Sequence, residues 1–182
     1  TAQLNEIQFD QLKKLKDDAD QVVLIGCGTA YHVALLGSYF LAEVGVKALA
    51  VQAHELAGAA SYIDSKTLVI AVSQSGETAD TLLAAKAAQQ KGAKLLAVLN
   101  ARGSTLERMA EVVFSVGVGP EIAVVSTKAS TAQLATLFLI AQSFVDNLLE
   151  AREQIKELGE TLLSWLNDEL SNQVLNLAKQ LL

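Results

Sequence analysis

The chain has 182 residues, 51% hydrophobic and 5% aromatic, with a formal net charge of −6. A chain of this length suits one domain burying roughly 70% of its unfolded surface, which excludes disorder, while the acidic balance and dispersed Lys and Arg argue against nucleic acid or an anionic membrane as partner. The one cysteine, Cys27, excludes an intrachain disulfide and fits a reducing cytoplasm, and the longest dense apolar stretch, Leu134 to Ala141, falls well short of the roughly 18 residues that cross a bilayer.

Taken in chain order, residues 1–20 form an expected N-terminal helical segment ahead of an α/β domain over 21–149. Short Val/Leu/Ile-rich runs at Val22 to Ile25, Val46 to Val51, Thr67 to Val72, Lys94 to Leu99 and Val112 to Val116 predict five buried strands. Helical patterns at Tyr31 to Val44, Ala79 to Lys91 and Ser104 to Met109 alternate with them, and Gly45 and Gly92 stand where C-terminal caps belong. Such βαβα alternation predicts a parallel sheet with helices on both faces and right-handed crossovers. A strand order of 2-1-3-4-5 would bring the loops after strands one and three together.

Beyond the fifth strand the pattern predicts a long helix from Thr127 to Leu149, then two amphipathic segments, Ala151 to Trp165 and Asp168 to Leu182. Leu163, Leu166, Leu170, Val174, Leu177 and Leu181 recur at spacings of three and four and build one apolar face. Packing on the domain's own surface is one reading of that face, an interface to a second domain or subunit the other. The start at Thr1 and the apolar end suggest a piece of a longer protein, with residues 150–182 leading to a further domain.

In open parallel sheets, ligands bind beyond the carboxyl ends of the strands. Three loops lie there: Gly26-Cys27-Gly28-Thr29, Ser73-Gln74-Ser75-Gly76-Glu77-Thr78, and Gly117-Val118-Gly119-Pro120-Glu121 leading to Ser126-Thr127-Lys128. The second is the most informative. It places hydroxyls from Ser73, Ser75 and Thr78 and a permissive Gly76 immediately before a helix whose first-turn N–H groups lack internal partners, the composition of an anion site. Helix capping by one hydroxyl is the plainer alternative, but three hydroxyls and a glycine exceed what one cap needs. Lys128 either faces the anion or is solvated at its helix start.

Other chemistries find less support. The third glycine of a G-x-G-x-x-G dinucleotide fingerprint falls on Tyr31, and no P-loop pattern occurs. His54 beside Glu55 lacks the further His or Cys a metal site needs, so no metal or cofactor is expected. Cys27 has no evident triad partner and is expected to pack in a tight turn.

The segments Gly26-Cys27-Gly28-Thr29-Ala30-Tyr31, Ser73 to Thr81 and Gly119 to Ala129, with Asn100 ahead of Arg102-Gly103-Ser104, resemble the SIS (sugar isomerase) domains. They resemble in particular the first of the two such domains in the glutamine:fructose-6-phosphate aminotransferase family, over about Val22 to Phe144. The resemblance implies a three-layer α/β/α sandwich with five parallel strands that binds fructose 6-phosphate or glucosamine 6-phosphate. It places phosphate binding on Ser73, Gln74, Ser75 and Thr78, and sugar contacts on Gly28, Thr29, Val124 and Ser126. The family usually carries serine at position 30, glycine at 123 and alanine at 125, where this chain has Ala30, Ala123 and Val125. It further implies a homodimer, a second SIS domain and a separate glutaminase domain as partners, and a catalytic lysine, glutamate and histidine supplied mostly from outside this segment. A related deglycase or amino-sugar-phosphate isomerase, and a non-enzymatic sugar-phosphate sensor, share the same loop.

Overall fold

The computed structural model describes residues 6–122, 126–166 and 168–181. The chain divides into two compact units, residues 1–146 and 147–182. In the first, α1 (Glu6–Asp17) precedes β1 (Gln21–Gly26), α2 (Thr29–Glu43) and β2 (Ala48–Gln52); then come a short helix α3 (Leu56–Ala59) between two 3-10 turns, β3 (Thr67–Ser73), α4 (Ala79–Gln90) and β4 (Lys94–Leu99). The unit closes with α5 (Thr105–Met109), β5 (Val112–Ser115) and α6 (Lys128–Ser143). The strands are all parallel, in the order β2-β1-β3-β4-β5, as the alternation predicted.

Side chains alternate across each strand, and the central strands β1, β3 and β4 are buried on both faces while the edge strand β2 is not. Val23, Ile25, Val69, Ala71, Leu95, Ala97 and Leu99 form one core with Ala84, Ala85 and Ala88 of α4, Leu56 of α3 and Leu106 of α5. Alanines on α4 let that helix lie close against the sheet. On the opposite face α2 packs along α6, and α1 covers β5, where the Phe9 and Phe114 rings lie 5.1 Å apart between centroids.

Connections from β1 lead outward to β2 in one direction, while β3 lies on its other side, so β1 and β3 flank the switch point. The register Ile25 to Ala71 ends both strands at nearly the same height. Their following loops therefore open side by side.

Two expectations need correction. The helix expected from Thr127 to Leu149 ends at Ser143, because Asp146 takes a left-handed conformation (φ 56°) and Asn147 starts the next helix. Asp and Asn tolerate that conformation, and Lys13 holds the Asp146 carboxylate with Nζ–Oδ1 at 2.7 Å; the flanking Leu148-Leu149 conceals the break in the sequence pattern. The stretch from Ala53 to Tyr62, for which no element was expected, winds into short helical turns that put buried Ala53 and Leu56 on the sheet.

The second unit consists of α7 (Leu148–Trp165) and α8 (Asp168–Leu181). The apolar face foreseen there includes Leu163, Leu166, Leu170, Val174 and Leu177, all of them exposed.

Candidate functional site

Beyond the carboxyl ends of β1 and β3 lies a cavity of about 420 Å³. Gly28, Thr29, Ser73, Gln74, Ser75, Thr78 and Ser126, all named from the sequence, line it together. Val124 lies outside the described residues. Lys128 is exposed at the start of α6 and is not part of the lining, and Gly76 lies buried beneath the loop.

The glycine loop after β1 is shaped by a close approach. A Cβ on Gly26 would sit 2.7 Å from the backbone carbon of Ala30, so only glycine lets the first turn of α2 fold back over the strand end. This presents Gly28 and Thr29 at the cavity mouth.

The loop after β3 is held from within. Ser73 Oγ accepts the Gly76 N–H at 2.9 Å and Ser75 Oγ accepts the Glu77 N–H at 3.1 Å. Thr78 is the N-cap of α4, yet its hydroxyl makes no cap hydrogen bond and lies 3.5 Å from Ser73 Oγ. The hydroxyls thus bend the loop rather than cap the helix. The first capping-type bond of α4 runs from Leu82 N–H to the Thr78 carbonyl at 3.0 Å, which leaves the earlier first-turn N–H groups without an intrahelical acceptor.

The same loop is fastened from outside. Its Gln74 carbonyl accepts N–H bonds from Asn100 (3.2 Å) and Ala101 (3.0 Å), and the Gly76 carbonyl accepts from Leu106 (3.1 Å). The Glu77 carboxylate accepts the Thr105 N–H at 2.6 Å; that bond holds its carboxyl below the usual carboxylate range and commits the loop's acid to the start of α5. Gly76 has φ 68°, and a Cβ there would lie 2.2 Å from Ser104 Oγ, so its smallness serves the contact with the 100–106 segment.

Five lining residues were assigned no binding role from the sequence: the polar Gln133, Cys27 and Thr81, and the apolar Ala30 and Val72. Gln133, 1% exposed, reaches from α6 and donates from Nε2 to the Ser73 carbonyl at 3.0 Å. A lone amide among Ala132, Leu134 and Ala135 was the available signal. Cys27 Sγ and Thr81 Oγ1 lie 3.6 Å apart on the cavity wall. Ser126 Oγ is buried with no hydrogen-bond partner among the described residues. Glu121 accepts N–H bonds from Thr127 (3.3 Å) and Ala129 (3.0 Å) at the start of α6, and the Ala129 bond foremost holds its carboxyl below the usual range.

Among the described residues no Asp, Glu, Lys, Arg or His side chain lines the cavity. Selection for an anion there would rest on N–H and O–H donors and a helix N-terminus, not on a formal positive charge. Such geometry defines a doubly wound parallel α/β domain with a cavity at the topological switch point, the place where domains of this class bind ligands.

A SIS domain model matches residues 17–143, and the chain belongs to that family. A glutamine--fructose-6-phosphate aminotransferase (isomerizing) of Clostridium tetani is 39% identical over 161 residues, 87% of this chain and 26% of the relative. Its counterpart in Thermococcus kodakarensis is 40% identical over 156 residues, 83% of this chain and 24% of that protein. Among solved structures, the C-terminal domain of glucosamine-fructose-6-phosphate aminotransferase from Francisella tularensis aligns with a TM-score of 0.69 at 28% identity, over 83% of this chain and 45% of that one. The chain spans about a quarter of the length of these curated relatives. Among the described residues no helix is long and apolar enough to cross a membrane.

Proposed function

We propose that this chain is the phosphosugar-binding SIS domain of a glutamine:fructose-6-phosphate aminotransferase, taking fructose 6-phosphate or glucosamine 6-phosphate in the cavity between β1 and β3. The observation that carries the reading is the convergence of the hydroxyl loop 73–78, the N-terminus of α4 and the glycine loop 26–29 on one cavity of about 420 Å³. Phosphate lies on the first turn of α4, among Ser73, Gln74, Ser75 and Thr78. Hydrogen bonds to a charged group contribute about 1.5–3 kcal/mol each, and the helix dipole about 0.3–1 kcal/mol more. Several together offset the absence of arginine.

The sugar extends toward Gly28, Thr29 and Ser126. Ser126 Oγ, buried and unpartnered among the described residues, supports a polar ligand there, since buried hydroxyls are normally satisfied. In the whole protein, which functions as a cytoplasmic homodimer, a second SIS domain and a glutaminase domain supply ring opening and ammonia. The present chain binds and orients substrate without turning it over.

The test is calorimetric titration with fructose 6-phosphate, glucosamine 6-phosphate and unphosphorylated fructose. Both phosphosugars bind, free fructose does not, and the Ser73→Ala/Ser75→Ala variant loses phosphosugar binding. Equal binding of free fructose, or an unaffected variant, refutes the phosphate assignment.

A further inference from the structure

We infer that Asn100 is a positioning residue that joins the phosphate loop to the segment forming the sugar end of the cavity; the inference rests on the phosphosugar reading above. Asn100 follows β4, is 8% exposed and does not itself line the cavity. Its backbone N–H donates to the Gln74 carbonyl at 3.2 Å, inside the phosphate loop. Its side chain works in the other direction: Nδ2 donates to the Gly119 carbonyl at 2.7 Å, and Oδ1 accepts the Val118 N–H at 3.0 Å.

Both ends of the amide are therefore used against one short stretch of backbone. That pairing specifies asparagine, because it demands a donor and an acceptor side by side. A carboxylate keeps the bond from Val118 but sets a second acceptor against the Gly119 carbonyl.

Gly119 lies two residues before Glu121, whose carboxylate holds the Thr127 and Ala129 N–H groups at the start of α6. Ser126, just ahead of those groups, and Gln133, further along α6, line the cavity. Hydrogen bonds joined by short covalent stretches of backbone thus run from Gln74 through Asn100 and residues 118–121 to the start of α6, beside Ser126. The lone amide between the two loops transmits the position of one to the other.

Asn100→Asp separates this role from a general structural one. Titrated with fructose 6-phosphate and with inorganic phosphate, the variant binds the phosphosugar about tenfold more weakly, the loss expected when one buried hydrogen bond is replaced by opposed acceptors. Inorganic phosphate, which needs only the 73–78 loop, keeps its affinity. Equal losses for both ligands, or no loss for either, overturn the inference.

Hydrogen exchange on the unmodified protein serves as a second measurement should the variant not fold. Saturating fructose 6-phosphate slows exchange of the Val118 amide, and inorganic phosphate does so less; no difference between the two also overturns it. An unmodified protein that binds neither ligand removes the phosphosugar reading itself, a result distinct from a variant that matches a competent parent.

Discussion

Replacing Gly76 with alanine tests whether the phosphate loop is built by its contact with the 100–106 segment. The residue has φ 68°, and an added Cβ would stand 2.2 Å from Ser104 Oγ and 2.6 Å from Ser104 Cβ. Ser104 cannot simply swing away, because it is 4% exposed and its Oγ accepts the Glu107 N–H as the N-cap of α5. The left-handed backbone costs alanine about 1–2 kcal/mol, and forcing an extra carbon into a packed site adds about 1–3 kcal/mol. The expected loss is about 2–5 kcal/mol, a fall in Tm of roughly 4–20 °C for a chain of this size. Gly45→Ala provides the comparison: its φ is 80°, but nothing lies within 4 Å of an added Cβ, so it carries the backbone cost alone. Thermal and urea unfolding of both variants measure the difference. Equal destabilisation of the two would show that the Ser104 contact contributes nothing, and a Gly76→Ala protein melting with the parent would refute the whole account of the loop.

Phe114→Ala removes a fully buried ring packed on Phe9 and should cost about 3–5 kcal/mol in urea unfolding; a much smaller loss would mean α1 does not seal β5. Glu77 and Glu121 both titrate below the ordinary value of 4.5 because backbone N–H groups hold their carboxylates. Lowered carboxyl values contribute stability that is present above the unfolded value and is lost as pH falls through the folded ones. Stability should therefore decline on acidification below about pH 4.5, and Glu77→Gln/Glu121→Gln should decline less steeply; parallel pH profiles for variant and parent would contradict the two contacts.

The layered fold was legible in the chain because buried parallel strands impose a strong local pattern: five β-rich runs, glycines after α2 and α4, and helical periods between them. Ser73 to Thr78 was legible for the same reason, since an anion loop must carry its donors within a few residues. Where local signals conflicted the reading slipped, as at Asp146-Asn147, where a left-handed break sits between apolar stretches that read as one helix. Other features are matters of distance in space. Nothing near Gln133 in the sequence announces the Ser73 carbonyl 60 positions away, and nothing near Glu77 announces the Thr105 N–H. Local pattern determined the order of elements and the chemistry each loop carries. The tertiary structure decided which loops meet, that the serine hydroxyls bend the loop instead of capping α4, and that Lys128 stays outside the cavity, because these depend on the parallel register that brings the ends of β1 and β3 side by side.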